Sequence, residues 1–131
     1  GTVATVELTQ ATFEETITNN DMVLIDFWAP WCGPCRSFAP TYENISEKYP
    51  DIVFAKVHTE EERSLAGYFQ IRSIPTLMIF KEQIIVFSQA GSLPESALEE
   101  VIGKAQELDM NTVREEIAQQ EQKEKQEQAA A

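Results

Sequence analysis

The chain has 131 residues and only two cysteines, Cys32 and Cys35, separated by two residues in the stretch "FWAPWCGPCRSFAP". A disulfide across so small a loop contributes only about 2 kcal/mol in the chain-entropy model, well below what longer loops give. It would be a poor staple. A zinc or iron–sulfur site calls for four protein ligands, and the chain offers two thiols and a single histidine, His58. A metal site would need a second copy. The remaining reading is that the thiols are there to react, which they do as thiolates.

That chemistry depends on the elements that hold the pair. "VLIDFW" is an almost unbroken apolar run, which predicts a central strand covered on both faces, with Asp26 inside it. The cysteines follow at once and open the next helix. They therefore stand at the carboxyl end of a central strand, where α/β sheets build their sites. Cys32 falls at the N-cap, where first-turn amides and the positive end of the helix dipole favour thiolate over thiol. Gly33 is expected to let the turn close without a Cβ, and Pro34 suits a first helical turn because its missing N–H has no intrahelical partner there. Cys35, one turn on, can reach Cys32 but is badly placed to meet a bulky substrate. Among Leu24, Phe27 and Trp28, burial should raise the Asp26 pKa and let it take a proton from Cys35, through a water.

The rest of the chain alternates strands with helical segments, the pattern of an α/β domain. "VATVEL" reads as a strand and "ATFEETIT" as a helix stopped by Asn19 and Asn20. After the cysteines, Phe38, Tyr42, Ile45 and Tyr49 recur at helical spacing, with a kink expected at Pro40. "IVFAKVH" is a strand ending in an exposed His58, and "EERSLAGYF" a short helix with acidic residues in its first turn. "TLMIF" and "IIVFSQ" lie so close together that only an antiparallel hairpin joins them. A last helix is expected over Leu93–Leu108, with Ser92 and Glu95 spaced as a capping box and Leu98, Val101, Ile102 and Ala105 facing the core.

Composition narrows the function classes. One domain with 43% hydrophobic residues has core enough without cross-links. A net charge of −12, from 10 basic and 22 acidic residues, repels a phosphate backbone and argues against nucleic-acid binding. No apolar run approaches a membrane span and no signal peptide is visible, so a soluble, cytoplasmic protein is expected, although a start at Gly1 leaves open a removed targeting segment.

"DFWAPWCGPC", "APTYEN", "IRSIPTLMIFK" and "AGSLPESALEEVI", in this order and spacing, resemble the thioredoxin family over about residues 2 to 103. The resemblance implies a mixed five-stranded sheet flanked by four helices and reduction of protein disulfides by a dithiol, with no bound cofactor, no metal, electrons from a thioredoxin reductase, and a monomer. It implies Cys32 as the attacking thiol and Cys35 as the resolving one. Trp31 and Trp28 would flank the site, with Asp26 beneath it and Lys56 its neighbour on the adjacent strand. Ile74 and a cis Pro75 would face the thiols and pair with an extended substrate, and Ala90 and Gly91 would complete the groove. Core packing is the plain alternative for the tryptophans, and partnership with Lys56 alone for Asp26. Three positions depart from the family: the hairpin "FKEQIIVF" lacks a glycine, Thr59 stands where aspartate is common, and Arg36 where lysine is frequent.

The larger departure is the segment from Lys104 onward, which divides the chain into a domain over 1–108 and an extension over 109–131. Asp109 to Asn111 should interrupt the last helix, and Thr112 with Glu115 predicts a capping box and a new helix near Val113. Only Val113, Ile117 and Ala118 offer it an apolar face, so truncation after Leu108 should change little. A second function class follows: a binding module whose extension is the working part and whose cysteines are incidental. The intact "WCGPC" favours the reductase.

Overall fold

The computed structural model of the protein describes residues 4–131. One five-stranded sheet, in the order β1-β3-β2-β4-β5, forms the centre. Its strands are β1 (Thr5–Glu7), β2 (Met22–Trp28), β3 (Val53–His58), β4 (Thr76–Lys81) and β5 (Ile84–Ala90). β1 and β2 pair parallel with β3, and β4 runs antiparallel to both β2 and β5, so the sheet is mixed as expected. The helices are α1 (Gln10–Asn19), α2 (Gly33–Ser46), α3 (Arg63–Tyr68), α4 (Glu95–Glu107) and α5 (Met110–Ala130). Val3, expected at the start of the first strand, lies outside the described residues.

The alternation of side chains along each strand builds two cores. On one face Met22 and Leu24 of β2, Phe54 of β3, and Leu77 and Ile79 of β4 pack against Phe38, Tyr42 and Ile45 of α2 and Leu98 and Ile102 of α4. On the other face Val23, Ile25, Phe27, Ala55, Val57, Met78 and Phe80 meet Ile17 of α1 and Leu65 of α3. β2 is buried on both faces, which is why it reads as an unbroken apolar run. Parity assigns Asp26 to the face under α2, the helix that carries the cysteines.

Several local expectations are corrected. Helix α2 continues through Pro40 but ends at Ser46, so Tyr49 lies beyond it, half-buried against the core. The acidic run precedes α3 instead of filling its first turn, and the Glu62 carboxylate accepts the Gln10 N–H at 2.8 Å at the start of α1. His58 is not exposed: its side chain packs edge-on against Trp28, with ring centroids 4.9 Å apart. Helix α4 starts at Glu95 with Pro94 at the N-cap and no side-chain cap, so the Ser92–Glu95 capping box does not form. Without a glycine, the β4–β5 hairpin turns on Glu82 and Gln83, both at positive φ (48° and 69°), the requirement of a tight two-residue hairpin turn.

The root of α5 departs most from expectation. Leu108 and Asp109 alone interrupt the helices, and the Asp109 carboxylate, not Thr112, caps α5 by accepting the N–H groups of Asn111 and Thr112. Met110 is only 4% exposed, an apolar anchor the sequence reading overlooked. Lys81, 7% exposed, donates from Nζ to the carbonyls of Ala105, Gln106 and Leu108 at 2.9, 2.9 and 3.1 Å. Its ammonium thus satisfies the orphan carbonyls and negative dipole end of α4. Arg114 reaches back to Glu82 at 2.7 Å. Met110→Ala is therefore expected to cost about 2–3 kcal/mol in urea denaturation. Truncation after Gln119 should stay within about 0.5 kcal/mol of the full chain, since the residues removed are exposed. Among the described residues no helix is long and apolar enough to cross a membrane.

Candidate active site

Strand β2 delivers the chain to a short turn, Ala29–Cys32, and α2 begins at Gly33 with Cys32 as its N-cap. Cys32 N–H donates to the Ala29 carbonyl at 3.2 Å, closing the turn. The Cys35 N–H donates to Cys32 Sγ at 3.2 Å, so the sulfur itself caps the helix. Cys32 and Cys35 are joined in a disulfide, which makes this the oxidised form. Pro34 occupies the first turn, where its lack of an N–H costs nothing. Gly33 is not demanded by space: a Cβ there would meet only Arg36 Nη2, at 3.9 Å.

Across from the disulfide lies the Ile74–Pro75 segment, with its peptide bond cis. Cys32 Sγ sits 3.6 Å from the Ile74 carbonyl oxygen. The Pro75 carbonyl accepts the Gly91 N–H at 2.8 Å, and Ala90 pairs with Thr76, which ties the β5 end to the same rim. Gly91 has φ +104°, a region where a side chain is strained, so glycine is needed at this position. Ile74, Pro75, Ala90 and Gly91, separated in sequence, are brought together beside the cysteines.

Below them Asp26 is 0% exposed, and neither carboxylate oxygen has a hydrogen-bond partner in the protein. Burial raises its pKa from 3.8 to about 7, and the charge of Lys56 opposes the rise without cancelling it. Lys56 stands beside Asp26 in register on β3 but places its ammonium over the Trp28 ring, 4.6 Å from the centroid. That is a cation–π contact, not an ion pair with Asp26. The Tyr42 hydroxyl, donating to the Ala55 carbonyl at 2.8 Å, is pushed well above its ordinary pKa by burial and by the Asp26 charge.

The tryptophans divide. Trp28 is half-buried between Lys56 and His58, and its carbonyl accepts from both the N–H and the hydroxyl of Thr59, at 2.9 and 3.1 Å. Trp31 is 64% exposed, and its indole N–H donates to the Glu60 carboxylate. Glu60 and Arg36 were not singled out as site residues, and an acidic triplet carries no spacing signal that would select one member. Among the described residues no group of three or more His, Cys, Asp or Glu side chains is placed to hold a metal.

Comparison with known proteins agrees with this geometry. The Thioredoxin family model matches residues 4–104. A protein of Streptomyces coelicolor assigned as thioredoxin 2 is 57% identical over 118 residues, covering 90% of this chain and 88% of its own. Thioredoxin 1 of Synechococcus elongatus is 46% identical over 99 residues, covering 74% of this chain and 92% of its own. Among solved structures, a Plasmodium falciparum thioredoxin superposes with a TM-score of 0.71 at 37% identity, covering 76% of this chain and 97% of that one. A mutant thioredoxin from Halobacterium salinarum gives 0.74 at 32% identity, covering 83% and 97%. With a Cys-X-X-Cys disulfide at the start of a helix on this sheet, and with these matches, the chain belongs to the thioredoxin family and is a dithiol protein-disulfide reductase.

Proposed function

We propose that Cys32 is the attacking thiol, Cys35 the resolving thiol and Asp26 the acid–base group between them. The observation that carries this assignment is position: Cys32 Sγ stands at the N-cap and receives the Cys35 N–H, while Cys35 lies inside α2; joined as a disulfide both are buried, at 4% and 3% exposed. In the reduced protein, Cys32 thiolate attacks one sulfur of a substrate disulfide, the substrate S–S bond breaks, and one substrate thiolate leaves. Cys35 then gives its proton to Asp26 and attacks Cys32 Sγ; the mixed disulfide breaks and the second substrate thiolate leaves. Two electrons have passed to the substrate, and the Cys32–Cys35 disulfide is the product. A base whose pKa is about 7 can both take and return that proton near neutrality.

Trp31, Ile74, Pro75, Ala90 and Gly91 supply the binding rim in this reading, with backbone groups of Ile74 offered to an extended substrate. Trp28 and Lys56 support the site, and Gly33 and Pro34 shape its turn. Disulfide-bearing proteins are the substrates, a thioredoxin reductase returns the electrons, and a monomer carrying electrons in the cytoplasm serves redox homeostasis. Residues 1–108 form the catalytic domain, and 109–131 an appendage rooted on it through Met110.

Alkylation of the reduced protein across a pH series, with mass mapping of each cysteine, tests the order of attack. Cys32 should react first and at lower pH than Cys35. Faster labelling of Cys35 would reverse the two roles.

A further inference from the structure

Besides the Cys32–Cys35 disulfide, one further side chain of α2 holds the turn that carries Trp31. Arg36 donates its backbone N–H to the Cys32 carbonyl at 3.1 Å and its Nη1 to the Pro30 carbonyl at 3.0 Å. The two bonds bracket Trp31, whose indole is fixed at its far end by the Glu60 carboxylate. The guanidinium lies alongside Gly33, with Nη2 3.9 Å from where a Cβ would stand. Beyond these contacts the turn has a single internal bond, from Cys32 N–H to Ala29. An indole that is 64% exposed would otherwise sample several rotamers.

We infer that Arg36 is a positioning residue for thiol–disulfide exchange: it braces the Pro30–Cys32 turn, fixes Trp31 as a rigid wall of the substrate groove, and carries a permanent positive charge in the first turn of the helix that the attacking sulfur caps. This rests on the reading that Cys32 attacks first. The brace uses what distinguishes arginine from lysine, a planar, pre-organised fork, here with Nη1 on the Pro30 carbonyl and Nη2 against Gly33. A lysine at the same position keeps the charge and loses the plane. The charge acts on the Cys32 thiolate, as a nearby cation does at reactive cysteines generally.

Arg36→Gln and Arg36→Lys separate the two contributions, with the full chain as reference. The readouts are the rate of reduction of a protein disulfide, the pH profile of Cys32 alkylation, the heteronuclear NOE of the Trp31 indole N–H, and the thermal midpoint. Arg36→Gln should lower the rate by roughly fivefold, move the alkylation profile to higher pH and loosen the Trp31 indole, with the thermal midpoint nearly unchanged. Arg36→Lys should restore the alkylation profile while the Trp31 indole stays loose and the rate recovers only in part. Wild-type rates and Trp31 order in both variants would overturn the inference, as would a rate loss that merely follows a large fall in thermal midpoint. If wild-type Cys35 is the thiol alkylated first, the order of attack fails while the Trp31 readout still judges the brace.

Discussion

Cys32→Ser is expected to lower disulfide reduction by at least about a thousandfold, because serine is no nucleophile toward sulfur at neutral pH and Cys35, set inside α2 instead of at its start, does not take its place. Cys35→Ser should behave differently. Its Cys32 still attacks, so one substrate molecule per chain is captured as a mixed disulfide and turnover stops there. Incubating each variant with a disulfide-bearing protein and separating the products without reductant distinguishes the two. Capture through Cys35 in the Cys32→Ser protein, with none in the converse variant, would assign the roles the other way round.

The second large effect concerns Asp26. Its pKa is about 7 in the folded protein against an ordinary 3.8, so between those values the folded state holds a proton that the unfolded state has released. Stability therefore falls as pH rises through this window, and the loss is complete above about pH 7. In Asp26→Asn the group no longer titrates. The stability advantage of the variant over the wild type should accordingly grow by about 4 kcal/mol between about pH 4 and about pH 8. Asparagine also cannot accept the Cys35 proton, so disulfide exchange near neutrality should slow by at least about tenfold. Urea denaturation at both pH values checks the first statement and single-turnover kinetics the second. A stability difference that does not vary with pH would mean that Asp26 is charged and solvated in the native state.

Much of this site was legible because its parts are local. The run "VLIDFW" has to be a central strand, and "CGPC" directly after it has to open a helix, so Cys32, Cys35 and Asp26 are placed by the periodicity of two adjacent elements. Ile74, Pro75, Ala90 and Gly91 are different. Nothing in their own spacing brings them to the cysteines; the antiparallel register of β4 with β2 and β5 does, and it was expected only through the family resemblance. The misreadings share a cause. Ser92 and Thr112 have the spacing of capping residues, yet Pro94 occupies the first N-cap position with no side-chain bond and Asp109 caps the second helix, because capping patterns recur by chance wherever Ser, Thr and Glu are common. Met110 and Lys81 were missed because each acts across the fold: methionine fills a gap no helix period marks, and the ammonium of a strand residue finds the carbonyls of a helix far along the chain.

The position of Lys81 has a practical consequence for handling the protein. Lys81 pairs with Met22 at the start of β2, whereas the cysteines follow the end of that strand, so the root of α5 and the dithiol are separated by about 20 Å of sheet. From Glu121 onward the helix is exposed at every residue. A bead linkage, fluorophore or fused domain attached at Ala131 would thus be carried on a polar stalk whose root lies at the other end of β2 from the cysteines.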